Sequence, residues 1–124
     1  SAGHLPPYHY NSQTGMLCLL PTSESYPLGV KPDTVFPSQQ VAFHQREMLL
    51  FYSDGLVEAI NPQVEGSACG EEILGYDGFE TIVRENITPS VLETKDRIIH
   101  AIRQYTQGGI PADDMTLLVL RMDA

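Results

Sequence analysis

The feature that most constrains this chain is an apolar run, Met48–Tyr52, that stops at Ser53, Asp54 and Gly55. Every position of the run is apolar, which is typical of a β-strand covered on both faces. We therefore predict a central strand that ends beside a carboxylate. Asp-Gly is a common turn dipeptide, but a carboxylate at the mouth of a buried strand is also where a ligand could bind.

The remaining apolar runs predict further strands. Residues 16–20 and 115–120 have strand length and composition, and residues 40–43 are separated from Met48–Tyr52 by a short polar segment that predicts a tight turn. Residues 21–39 carry four prolines and are predicted to be a loop. We expect the runs at 40–43, 48–52 and 115–120 to form antiparallel strands of one sheet.

Two amphipathic helices are predicted between these strands. Asp77 and Glu80 have capping-box spacing, which predicts a short helix over residues 78–86. A longer helix has Thr88 as its cap and Pro89 at its first position, and Gly108 and the glycine after it end the helix. With both helices packed together on one face of the sheet, the predicted fold class is α+β.

Composition excludes several classes of function. Sixteen acidic residues against seven basic ones give a net charge of −9, which argues against a nucleic-acid partner. No apolar run approaches the ~18 residues of a membrane span, and the start of the chain lacks the features of a signal peptide, so we predict a cytoplasmic protein without membrane contact from this segment. Cys18 and Cys69 lack a CxxC or histidine-rich companion and are predicted to be reduced thiols.

Three acidic residues flank two of the predicted strands. Asp54 follows Met48–Tyr52, whereas Asp113 and Asp114 directly precede the run at 115–120. If the two strands are antiparallel neighbours, these carboxylates converge at one rim of the sheet, where a hard cation would relieve their repulsion. Oxygen ligands without thiolate or imidazole favour Mg²⁺ or Mn²⁺, and Gly55 would let a backbone carbonyl approach the metal. From spacing alone, a solvated turn that binds nothing remains open.

Four segments carry a resemblance to a known family. "AGHLPP" at residues 2–7, "PLGV" at 27–30, "LLFYSDGLVEA" at 49–59 and "DDMTLLVLR" at 113–121 resemble successive motifs of the metal-dependent, protein phosphatase 2C-like serine phosphatases. The branch that the chain resembles most is the bacterial one that acts in sporulation and stress-response partner switching. Residues 45–47, Gln-Arg-Glu, stand where that family usually has a Pro-Gly-Asp turn, and Ser53 stands where it usually has Thr.

The resemblance implies an α-β-β-α sandwich with antiparallel sheets, of which residues 1–124 would form the C-terminal portion. The family's first strands, which supply further metal ligands, would precede Ser1. It also implies that Asp54, Gly55, Asp113 and Asp114 belong to a centre for two Mn²⁺ or Mg²⁺ ions, and that no side chain, Ser53 included, acts as a covalent nucleophile. His4, in "AGHLPP", is a possible site-lining residue.

The implied function is a serine/threonine phosphoprotein phosphatase that acts on a phosphoserine regulator, such as an anti-sigma-factor antagonist. The isolated segment is expected to be inactive, because it holds only part of the ligand set. It is also expected to form a homodimer, because its uncovered sheet edge can pair with another chain. Two alternatives stay open: a degenerate phosphatase domain that regulates by binding proteins, and a packing module whose acidic turns bind nothing.

Overall fold

The computed structural model describes residues 1–23, 25–62 and 72–123, which divide into two compact units. One unit comprises Ser1–Phe51 together with the residues from Leu120 onward, and the other comprises Tyr52–Val119. Helices and antiparallel strands are both present, so the predicted α+β class is confirmed. No helix among the described residues is long and apolar enough to cross a membrane. Cys18 is a free thiol, and Cys69 lies outside the described residues.

The strands form one larger and one smaller sheet. In chain order they are β1 (Tyr8–Asn11), β2 (Met16–Leu19), β3 (Met48–Tyr52), β4 (Ile60–Asn61), β5 (Glu72–Ile73) and β6 (Leu117–Arg121). The larger sheet has the order β2-β1-β3-β6, and β4 pairs with β5. The predicted interior place of β3 is therefore confirmed. Its residues alternate between buried and half-buried, so one face of the strand is fully covered and the other only partly.

Strand β1 was not predicted, although it forms a hairpin with β2. The side-chain oxygen of Asn11 accepts hydrogen bonds from the backbone N–H groups of Gln13 (2.9 Å) and Thr14 (3.1 Å). Gly15 then adopts a positive φ of 70° and donates its N–H to the Asn11 carbonyl at 2.8 Å. An Asn that bonds the backbone two and three residues on, with Gly at the left-handed position, explains the tight reversal.

The predicted strand at residues 40–43 is wrong, because these residues form neither strand nor helix. The predicted tight turn does exist, since the Glu47 N–H donates to the His44 carbonyl at 3.1 Å. β1 lies on one side of β3 and β6 on the other, so both edges of β3 are already paired. The segment before the turn therefore has no edge of β3 to join.

Strand β6 begins two residues later than predicted and runs antiparallel to β3. Near the start of β3, the Met122 N–H donates to the Glu47 carbonyl at 3.2 Å; past its end, the Ser53 N–H donates to the Thr116 carbonyl at 3.1 Å. The two strands therefore run in opposite directions. The end of β3 lies beside the segment that precedes β6, as the sequence predicted.

The helices are α1 (Asp54–Val57), α2 (Gly75–Asn86) and α3 (Val91–Tyr105). Helix α1 was not predicted. Helix α2 begins three residues before the predicted start, so Asp77 lies in its first turn and the capping box is wrong. Helix α3 begins after Ser90, whose hydroxyl accepts from the Glu93 N–H at 3.3 Å, so Thr88 is not its cap. Thr88 instead donates its hydroxyl to the Ser90 carbonyl at 3.1 Å.

Each unit has its own buried apolar side chains. In the first unit these belong to the sheet: Tyr8, Leu17, Met48 and Leu50. In the second unit they come from the end of β3, from all three helices and from the link between α1 and β4: Tyr52, Leu56, Val57, Ala59, Phe79, Val83, Ile98 and Ile102. The rings of Tyr52 and Phe79 lie 4.8 Å apart, and α2 packs against α3. This core holds α1, and with it Asp54, in place.

Candidate metal centre

The candidate site begins where β3 ends and α1 starts. Ser53 has an extended backbone and precedes the first helical residue, Asp54. The Ser53 carbonyl accepts from the Leu56 N–H at 3.2 Å, and the Asp54 carbonyl accepts from the Glu58 N–H at 2.8 Å. Leu56 is fully buried, whereas Asp54 is exposed. One short helical turn thus buries its apolar residues and presents the carboxylate to solvent.

The segment before β6 lies against this turn through Ser53. Besides the backbone bond from the Ser53 N–H to Thr116, the Ser53 hydroxyl accepts from the Thr116 N–H at 2.8 Å. The same hydroxyl donates to the Asp114 carbonyl at 2.8 Å. The hydroxyl thus donates one hydrogen bond and accepts another, both with backbone groups. That Ser53 is not a nucleophile stays a prediction.

Gly55 allows the two segments to approach closely. It is buried, and a Cβ placed on it would lie 2.5 Å from the carbonyl oxygen of Asp114 and 3.1 Å from that of Asp113. Any other residue at this position would therefore overlap the backbone of the acidic pair. This close approach gives Gly55 a role that the sequence prediction did not include.

The four predicted site residues therefore come together, since the turn of Asp54 and Gly55 packs against the backbone of Asp113 and Asp114. All three carboxylates belong to exposed residues. One oxygen of Asp54 accepts from the Gly55 N–H at 3.1 Å, and one of Asp113 accepts from the Asp114 N–H at 2.7 Å. Each bond uses one oxygen, and a carboxylate has further acceptor capacity that can serve a ligand.

The chemical type of these donors suits a divalent cation, because carboxylate oxygens are the ligands that Mg²⁺ and Mn²⁺ prefer. The fit is partial. Within residues 1–23, 25–62 and 72–123, no group of three or more His, Cys, Asp or Glu side chains is arranged to hold a metal ion. His4 is exposed, and its ring Nδ1 lies 2.9 Å from the neighbouring Leu5 carbonyl. Its role as a site-lining residue stays a prediction.

A second polar cluster, which the sequence did not reveal, lies in the other unit around Glu47. This residue is buried, with only 3% of its surface exposed. Its carboxylate accepts from the His44 N–H at 2.8 Å and from the Asn11 side-chain amide at 2.8 Å, and it lies 3.0 Å from the His9 Nε2. The His44 N–H lowers the pKa of Glu47, burial opposes this, and His9 lowers the pKa further. The signal in the sequence was an acidic residue directly before an apolar strand.

The chain matches one known protein family over nearly its whole length. The family model described as stage II sporulation protein E (SpoIIE) matches residues 1–123. No curated protein sequence is significantly similar to the chain.

Solved structures share the fold. The PP2C phosphatase domain of SpoIIE from Bacillus subtilis, with a fragment of its regulatory domain, aligns at 20% identity with a TM-score of 0.67, over 98% of this chain and 32% of that one. The SiaA-PP2C domain of Pseudomonas aeruginosa aligns at 18% identity with a TM-score of 0.70, over 98% and 44%. The RsbU and RsbW domains of a Mycobacterium tuberculosis protein align at 22% identity with a TM-score of 0.65, over 98% and 30%. The chain thus spans less than half the length of each of these relatives.

Proposed function

The chain belongs to the family of stage II sporulation protein E, and from this membership we propose that it forms the C-terminal portion of a metal-dependent serine/threonine phosphatase domain. The relatives whose fold it shares are PP2C phosphatase domains. The observation that carries the proposal is the contact between the Asp54 turn and the backbone of Asp113 and Asp114. This contact joins two acidic segments that are 58 residues apart or more in the sequence.

The proposed roles of the residues follow from their chemistry. Asp54 and Asp113 supply anionic oxygen donors, Asp114 adds negative charge beside them, and Gly55 permits the close packing that brings the donors together. Mn²⁺ or Mg²⁺ ions, when bound, would supply an activated water and neutralise the charge of the phosphoryl group. The remaining donors would come from parts of the domain outside this chain.

The proposed substrate is a phosphoserine protein, and the proposed setting is bacterial partner switching on a regulator such as an anti-sigma-factor antagonist. Support comes from the family membership and from the RsbU and RsbW domains of one structural relative. Self-association stays a prediction. It is supported by the exposed apolar residues Met16, Leu118 and Leu120 on β2 and β6, the two edge strands of the larger sheet.

The alternative proposal is a degenerate phosphatase domain that binds no metal and acts as a protein-binding regulatory module. The incomplete set of metal-binding side chains among the described residues is compatible with both proposals. The alternative predicts that the missing donors are absent from the full-length protein. It also predicts that substitution of Asp54 leaves function in signalling unchanged.

The test is a phosphoserine-peptide assay on the full-length protein with Mn²⁺ or Mg²⁺. We expect metal-dependent hydrolysis, a loss of at least a hundredfold in Asp54→Asn and Asp113→Asn, and little activity for residues 1–124 alone. Glu93→Gln, an exposed acidic residue of α3 paired with Arg97, is the matched control and should retain activity. Full activity in Asp54→Asn would refute the proposed metal centre.

A further inference from the structure

Ser53 takes part in two backbone structures at once. In an antiparallel pair, a residue in a hydrogen-bonded position exchanges both its N–H and its C=O with the residue opposite. Ser53 gives its N–H to the Thr116 carbonyl, but its own carbonyl accepts from the Leu56 N–H and so begins α1. The Thr116 N–H does not donate to that carbonyl. It donates instead to the Ser53 side-chain hydroxyl at 2.8 Å.

The hydroxyl therefore replaces the carbonyl that the helical turn uses. It accepts from Thr116 and donates to the Asp114 carbonyl at 2.8 Å, so it holds the backbone on both sides of Met115. An apolar side chain at this position could do neither.

We propose that Ser53 is a positioning residue whose hydroxyl fixes the backbone from Asp114 to Thr116 against the Asp54 turn and so sets the position of the acidic pair, Asp113 and Asp114. The inference rests on the proposed function, because it concerns the same metal centre. Gly55 contributes the close approach, with 3.1 Å from its would-be Cβ to the Asp113 carbonyl oxygen. Ser53 sets the orientation of the acidic segment, since its two hydrogen bonds turn the Asp114 carbonyl and the Thr116 N–H toward the Asp54 turn.

The effect of losing the hydroxyl differs from ordinary destabilisation. Asp114 and Thr116 are exposed, so water can take over the carbonyl and the N–H that Ser53→Ala leaves without this partner. The fold therefore persists, but the acidic segment is no longer held in one position. Loss of groups that orient metal ligands typically lowers metal affinity about 10- to 100-fold. Ser53→Thr keeps the hydroxyl oxygen and should restore both bonds.

The experiment compares the wild-type full-length protein with Ser53→Ala, Ser53→Thr, Asp54→Asn and Ser90→Ala. Ser90→Ala is the matched control, because it removes a hydroxyl that accepts from a backbone N–H at the start of α3. Two quantities are measured: the Mn²⁺ dissociation constant by isothermal titration calorimetry, and hydrogen–deuterium exchange of the peptide that contains the Thr116 amide.

We expect Ser53→Ala to weaken Mn²⁺ binding about 10-fold or more and to speed exchange at Thr116, whereas Ser53→Thr stays within about threefold of the wild type. Ser90→Ala should speed exchange only at the start of α3 and leave the Mn²⁺ affinity unchanged. A Ser53→Ala protein with wild-type Mn²⁺ affinity, or with unchanged exchange at Thr116, would overturn the inference. Wild-type affinity in Asp54→Asn would overturn the proposed metal centre itself, and this inference with it.

Discussion

Replacing Glu47 by Gln should destabilise the protein much more than the loss of a surface charge would. Three groups converge on the two oxygens of this buried carboxylate: the His44 N–H, the Asn11 side-chain amide and the His9 ring. Asn11 cannot turn its amide around, because its own oxygen already accepts from two backbone N–H groups of the hairpin. The Asn11 amide and the His44 N–H can therefore act only as donors, and residue 47 must offer each of them an acceptor.

The magnitude follows from counting acceptors. Gln retains one oxygen, so the NH₂ group that replaces the other oxygen meets a donor that it cannot satisfy. A buried unsatisfied donor costs about 1–3 kcal/mol, and bonds to a charged acceptor are stronger than those to an amide. We expect Glu47→Gln to lower the free energy of unfolding by roughly 2–4 kcal/mol at pH 7. Glu80→Gln, which removes an exposed partner of Arg84, should cost under about 0.5 kcal/mol.

The pH dependence has a definite sign. The pKa of folded Glu47 lies below its usual value of 4.5, chiefly because the His44 N–H stabilises the carboxylate, with burial opposing and His9 adding to the decrease. The stabilisation by the ionised carboxylate is therefore fully present above pH 4.5 and is lost as the pH falls through the lower folded-state pKa. Urea unfolding of the wild type and of Glu47→Gln at several pH values measures this difference. A difference below about 0.5 kcal/mol at pH 7, or one that stays constant down to pH 3, would refute the reasoning.

Two further substitutions test the backbone around these sites. Arg46 has a φ of 67°, so Arg46→Gly should relieve left-handed strain and raise the free energy of unfolding by about 0.5–1 kcal/mol. Urea unfolding would measure this change. A loss of stability would mean that the Arg46 side chain contributes more than the strain costs. Gly55→Ala should destabilise the protein by about 1–3 kcal/mol, because the added methyl group overlaps the Asp114 carbonyl. Helix propensity alone would favour Ala. A thermal midpoint equal to that of the wild type would mean that the acidic segment moves to make room for the methyl group.

Sequence patterns predicted the strands that have strong apolar runs. They failed where the availability of a neighbouring strand decides whether a segment forms a strand. Met48–Tyr52 was predicted with its observed bounds because five consecutive apolar residues need burial. Residues 40–43 have similar composition but no free edge of β3 to join, which no local pattern shows. Strand β1 was missed for the opposite reason. Its Tyr-His-Tyr-Asn sequence is only moderately apolar, and it becomes a strand because β2 and β3 flank it.

The helix starts show a similar limit. Asp77 and Glu80 have the spacing of a capping box, yet α2 begins three residues earlier, at Gly75. The chain before the helix is held by the bond from the Leu74 N–H to the Ala59 carbonyl at 2.9 Å, which is a tertiary contact. A tertiary bond of this kind leaves no mark in the local sequence. Only the position of the helix, not its first residue, was predictable.

At the candidate site, the sequence predicted which residues meet but not what holds them. The approach of the Asp54 turn to the backbone of Asp113 and Asp114 followed from two antiparallel strands with acidic ends. The exchange of a carbonyl for a hydroxyl at Ser53 could not be predicted, because it arises only when a strand residue must also begin a helical turn. Here the last strand residue uses its carbonyl for the first turn of α1 and its hydroxyl for the neighbouring strand. The Ser53 hydroxyl satisfies the Thr116 N–H, and Thr at this position carries the same hydroxyl acceptor.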